Sequence, residues 1–159
     1  MQGKIGLEEH FAIPATLQDS AGFVPAQDWV ELSARLLDIQ ERRLREMDAH
    51  GMAMMLLSLN APAVQAIPDR ARASAIAQRA NDFLAEQVTQ RRDRFQGLAA
   101  LALQDPDAAT RELERCVKDL GFKGALVNGF SQVDTPENVV YLDDPRYAGF
   151  WAKVEELDV

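Results

Sequence analysis

A single cysteine in 159 residues excludes an internal disulfide, and with only two histidines the Cys/His spacings of structural zinc sites are absent too. A reducing, cytoplasmic location is the expectation for such a chain. Seventeen Lys and Arg stand against 25 Asp and Glu, a net charge of −8, so the basic stripe that neutralises phosphates is missing. This excludes a general nucleic-acid binder. The longest apolar runs, such as residues 52–57, fall far short of the roughly 20 residues a membrane span requires. At the N-terminus, MQGKIGLEEH has no basic region followed by an apolar one, so neither a secretion signal nor a membrane association is expected.

What is present is an ordinary globular composition, 47% hydrophobic and 26% charged, at a length that suits one domain. Residues 4–7 read as a short strand, and residues 11–29, with Pro14, Gly22 and Pro25, as a long loop of the kind that carries function. From Val30 the spacing of Leu32, Leu36, Ile39, Leu44 and Met47 predicts one amphipathic helix ending near Gly51. Residues 52–59 (MAMMLLSL) are apolar on both faces, as in a parallel strand covered on both sides. Loop 60–68 follows, then a helix opened by Asp69 and running to Arg91 and Arg92.

Residues 95–103 (FQGLAALAL) predict a third strand, Asp105-Pro106 a helix start, and Gly121 its stop. Residues 123–127 (KGALV) predict a fourth strand, residues 128–143 a loop, and Asp144-Pro145 the start of a last helix carrying Tyr147, Phe150, Trp151, Val154 and Leu157. Four alternating βα units imply parallel pairing. They fit either a small open doubly wound sheet or half of a (β/α)8 TIM barrel. The first turn, Glu8-Glu9-His10-Phe11, lacks the glycines of a nucleotide loop and carries two carboxylates that would repel phosphate. An α/β fold of the barrel type is therefore expected, with this chain covering about the first four units.

Glu8 and His10 lie two residues apart at the end of the first strand, a spacing that can aim both into a barrel mouth. A carboxylate and an imidazole there can take two positions on one divalent ion. On residue types alone, a solvated or capping pair is the competing interpretation. Glu9 points the other way, toward a helix or neighbouring strand. His50, beside Gly51 at a helix end, reads as dipole-stabilised or solvent-facing rather than as a ligand. Cys116 falls on an apolar helix stripe, as a buried inert thiol would; Arg91, Arg92 and Arg94 read as a solvated helix end.

Five blocks carry a family resemblance: LEEHFAIP (7–14), RLREMDAHGM (43–52), LLSLNAPAVQ (56–65), LALQDPDAA (101–109) and GFKGALVNGFSQ (121–132). In this order they resemble the amidohydrolase-superfamily decarboxylases, and within them the branch that decarboxylates 2,6-dihydroxybenzoate (gamma-resorcylate). The resemblance covers about the N-terminal half of such an enzyme, and implies that residues 1–159 are half of one metal-dependent barrel domain with a substrate-covering loop at 11–29. It implies that Glu8 and His10 ligate one divalent ion, Zn2+ or Mn2+, without an organic cofactor. It further implies that Phe23 packs over the substrate ring, that Ala61 leaves steric room at the pocket wall, and that Asn128 hydrogen-bonds a phenolic hydroxyl or carboxylate. Without it, Phe23 reads equally as a loop residue tucked into the core, and Asn128-Gly129 as turn chemistry.

The activity so implied is reversible, nonoxidative loss of CO2 from a small aromatic hydroxy acid to give resorcinol, in a homotetramer. The proton-donating aspartate and the remaining ligands have no counterpart here, so no catalytic residue is expected within the chain. The competing expectations are a metal-dependent hydrolase of the same superfamily, acting on an amide or lactone, and an inactive truncated half-barrel.

Overall fold

The computed structural model describes residues 2–159. Four βα units are laid out in chain order around a parallel sheet. Strand β1 (Lys4–Phe11) pairs in parallel with β2 (Met52–Leu59), and β2 with β3 (Phe95–Gly97). Beyond β3, the extended residues 123–127 join through one bridge, Ala99 with Ala125, supported by Lys123 N to Gly97 O at 2.9 Å and Ala99 N to Gly124 O at 2.8 Å. The sheet therefore has a free edge along β1.

The third predicted strand is cut short at Gly97, and a side chain explains why. Asn81 donates to Ala100 O at 3.0 Å and accepts from Ala100 N at 2.8 Å, taking both ladder positions of that residue. Gly97 itself has no room for a side chain. A Cβ there would lie 2.6 Å from the buried ring of Phe122, so backbone and ring pack directly.

Between β1 and β2 the expected single helix is two, α1 (Ala26–Leu37) and α2 (Arg42–His50). Asp38 breaks the run: its carboxylate accepts from the backbone N–H groups of Glu41, Arg42 and Arg43, capping α2 and turning the chain. The apolar period continues across the break because Leu36 is buried before it and Ile39, Leu44 and Met47 enter one core after it. Loop 11–29 is correspondingly shorter than expected; it contains a 3-10 turn (Leu17–Phe23), and α1 has begun by Ala26. Gly51, at φ 68°, ends α2 as a left-handed cap.

The remaining helices start as expected. Asp69 accepts from Arg72 N at 2.7 Å to cap α3 (Arg70–Gln90), and Asp105 accepts from Ala108 N at 3.0 Å to cap α4 (Pro106–Lys118). Arg94, expected in solvent, instead clamps the start of β2 through Met52 O and Ala53 O and an ion pair with Asp48 at 2.8 Å. Residues 128–143, expected as loop, hold an antiparallel hairpin of β4 (Phe130–Val133) and β5 (Thr135–Tyr141). Its turn is a single left-handed Asp134, φ 65°, rather than a glycine pair, which is why turn chemistry did not announce it. Helix α5 (Ala148–Leu157) closes the chain, tied by the buried Tyr147 hydroxyl to Leu103 O at 3.0 Å.

The core lies between the sheet and its helices, with Leu57, Leu84, Phe95, Leu103 and Cys116 fully buried. Burying each large apolar side chain stabilises the fold by about 1.5–3 kcal/mol. Among the described residues, no helix is long and apolar enough to cross a membrane.

Candidate metal and substrate site

The direction of Glu8 and His10 is decided by an irregularity in β1. Gly6 pairs with Met55 and Glu9 with Leu57, so three residues of β1 span two of β2. This is a bulge, and it reverses the alternation of side chains beyond it. Gly6 and Glu9 consequently share the helix-facing side, where a Cβ on Gly6 would meet the Glu9 carboxylate at 2.8 Å. Phe11, 1% exposed, also lies on that side in the core. Glu8 and His10 are thereby turned to the opposite, inner face.

On the inner face His10 pairs with Ser58, and its Nδ1 lies 3.0 Å from the Ser58 hydroxyl, which is fully buried. The ring is oriented with Nε2 directed away from this contact. Imidazoles that bind metals are held in this way, the second nitrogen fixing tautomer and ring angle. The carboxylate of Glu8 takes no hydrogen bond or ion pair from the described residues. A carboxylate oxygen and an oriented imidazole nitrogen suit a divalent ion in kind, and they supply two positions of its shell. Among the described residues there is no group of three or more potential ligands. His50, exposed at the C-terminal end of α2, also lines the cleft described below but is not grouped with Glu8 and His10 as a third ligand.

The backbone under His10 is also held. Arg43 donates to His10 O at 2.6 Å and to Asp38 O at 3.3 Å, joining the end of β1 to the α1–α2 break. Burial pulls its pKa below the usual guanidinium range, an effect opposed by Glu9, Asp38 and Glu46. Glu9 thus faces the helix layer, as alternation predicts.

A cleft of about 730 Å³, within the size range of small-molecule sites, lies beside β1 and the α1–α2 pair, with Glu9, Arg43 and His50 also in its lining. Glu8, His10, Phe23 and Ala61 all line it. Phe23 is 77% exposed at the end of its 3-10 turn, so it is not tucked into the core. Asn128 is not among the lining residues. It sits behind the loop after β2, where Nδ2 donates to Pro62 O at 3.3 Å and the backbone N–H donates to Gln65 Oε1 at 2.6 Å. Its carboxamide oxygen takes no bond from the described residues.

Sequence reasoning missed Thr16, Ser20, Ser58, Asn60 and Gln65, the polar residues that hold these groups in place. For Ser58 and Asn60 the signal is a polar side chain inside or just beyond an apolar strand, LLSLN (56–60); Thr16, Ser20 and Gln65, in loops and 3-10 turns, carry no such signal.

An Amidohydrolase family model matches residues 10–159. The chain belongs to this family. It is 67% identical over 159 residues to the gamma-resorcylate decarboxylase of Rhizobium radiobacter, covering 100% of this chain and 49% of that protein. The crystal structure of a 2,6-dihydroxybenzoate decarboxylase complexed with 2,6-dihydroxybenzoate superposes with a TM-score of 0.98 at 67% identity, over 100% of this chain and 49% of that one. A Polaromonas sp. dihydroxybenzoic acid decarboxylase with bound manganese and the inhibitor 2-nitroresorcinol gives 0.97 at 64% identity, over 100% and 48%. The chain spans about half the length of the curated relatives it matches. Its architecture is accordingly that of the amidohydrolase (β/α)8 barrel, of which these residues form four βα units.

Proposed function

We propose that the protein carrying this chain is a metal-dependent, nonoxidative decarboxylase that converts 2,6-dihydroxybenzoate reversibly to resorcinol and CO2. The observation that supports this most is the gathering of Glu8, His10, Phe23 and Ala61 on one cleft, in a chain 67% identical to decarboxylases of that acid. Glu8 and His10 would hold the divalent ion, Mn2+ or Zn2+. Once bound, it supplies a Lewis acid and a template for the carboxylate and an ortho hydroxyl.

The chain's own side chains do the rest of the positioning. Phe23 covers one ring face and keeps water from it, and Ala61 leaves space where a larger residue would meet the ring. With Nδ2 of Asn128 committed to Pro62, its free oxygen is suited to accept a hydrogen bond from a phenolic hydroxyl rather than to bind a carboxylate. Overall, the ring carbon exchanges its carboxylate for a proton, and the donor of that proton is an aspartate expected outside these 159 residues. No organic cofactor is required. We place the protein in the cytoplasm and assign it a homotetrameric state on the strength of the family resemblance, with loop 11–29 serving as the substrate cover of a single barrel domain.

The test is to express the complete reading frame and incubate it with 2,6-dihydroxybenzoate and Mn2+. Resorcinol formed in equal amount to acid consumed supports the proposal; turnover of lactones or amides in its place would establish the hydrolase instead. The 159-residue chain assayed alone is expected to be inactive.

A further inference from the structure

The 3-10 turn that carries Phe23 has no buried residue of its own, so hydrophobic burial does not hold it over the cleft. What holds it is Asn60, 2% exposed at the exit of β2. The Asn60 Oδ1 accepts from Thr16 Oγ1 at 2.9 Å, while Nδ2 donates to Thr16 O at 2.9 Å and to Ser20 Oγ at 2.8 Å. Ser20 passes the connection on, its hydroxyl donating to Ala61 O at 2.7 Å. One carboxamide therefore ties the turn bearing the aromatic cover to the residue that forms the opposing wall.

We propose that Asn60, acting through Ser20, is a positioning residue that sets the gap between Phe23 and Ala61 and thereby the thickness of ring the site admits. The proposal rests on the decarboxylase reading above. It predicts an effect on substrate capture more than on the chemical step, because neither residue reaches the metal ligands. Loss of a single such tie corresponds to about two- to tenfold in an equilibrium.

The experiment uses the protein expressed from its complete reading frame, with Ser20→Ala, Ser20→Thr and Asn60→Asp variants. Asn60→Asp keeps shape but replaces the two N–H donors by an acceptor; Ser20→Ala removes both the bond from Asn60 and the link to Ala61, and lies away from the core, so it folds even where Asn60→Asp does not. For Ser20→Ala the KM for 2,6-dihydroxybenzoate rises about two- to tenfold with kcat within twofold. Amide hydrogen exchange across residues 17–23 quickens by a similar factor, Mn2+ content is unchanged, and Ser20→Thr restores both KM and exchange. An unchanged KM in Ser20→Ala, unchanged exchange in that segment, or a loss confined to kcat overturns the proposal. If wild type does not turn over 2,6-dihydroxybenzoate at all, the decarboxylase reading fails first, and the exchange result separates the two.

Discussion

Ser58 offers the sharpest test of how the metal half-site is built. It is fully buried, and its hydroxyl is the partner of His10 Nδ1 at 3.0 Å. For Nε2 to bind an ion, the ring must carry its proton on Nδ1 and donate it to the Ser58 oxygen. Ser58→Ala leaves that N–H unpaired inside the barrel and frees the ring to rotate. A net intramolecular hydrogen bond is worth about 0.5–1.5 kcal/mol, and orienting partners of metal-bound histidines are worth about 10- to 100-fold in affinity. Because this bond is buried and sets the tautomer as well as the angle, the effect belongs near tenfold, or about 1.4 kcal/mol. Calorimetric titration of metal-free protein with Mn2+ gives the Kd directly, with His10→Ala as the comparison in which one ligand is lost outright. A Ser58→Ala Kd within twofold of wild type would refute the reasoning, since the hydroxyl would then be a bystander.

Asn81→Leu leaves both polar groups of buried Ala100 unpaired and removes a 2.7 Å bond to Glu112, so unfolding by urea should show a loss of about 3–5 kcal/mol. Burial, reinforced by the neighbouring Glu112 carboxylate, pushes the Cys116 thiol well above its usual range; native protein should resist iodoacetamide at pH 8 and react fully in denaturant. Glu31 is held at about 2 by hydrogen bonds from Arg42, which links α1 to α2, and then from Arg35 within α1. A carboxyl depressed in the folded state contributes above its unfolded value and loses that contribution as pH falls. The Tm difference between wild type and Glu31→Gln should therefore be present at pH 7 and shrink between about pH 4.5 and 2.

Much of this was legible in the sequence, and in each case a local rule sufficed. Asp69 and Asp105-Pro106 announce helix starts because capping depends only on the next few residues. The apolar run at 52–59 announces a parallel strand because a strand packed on both faces has few polar positions, here Ser58 alone, although only residues 57–59 are fully covered. The errors arose where one side chain overruled the period. Asp38 split a helix whose apolar spacing is unbroken, Asn81 ended a strand by occupying its ladder, and Asp134 turned a hairpin without glycine. The first two involve a polar side chain finding backbone partners, and for Asn81 the partner is 19 residues away; Asp134 instead adopts the left-handed conformation usually left to glycine.

For the site, the sequence by itself determined which groups are available: a carboxylate and an imidazole two residues apart, an aromatic in a long loop, an alanine after the second strand. It did not determine where they point. The spacing of Glu8 and His10 places them on one face of β1, but whether that face is the barrel interior or the helix layer depends on the register with β2. The pairing of Glu9, His10 and Phe11 with Leu57, Ser58 and Leu59 settles it, because a slip of one residue would exchange the two faces, and that pairing exists only once the two strands lie side by side.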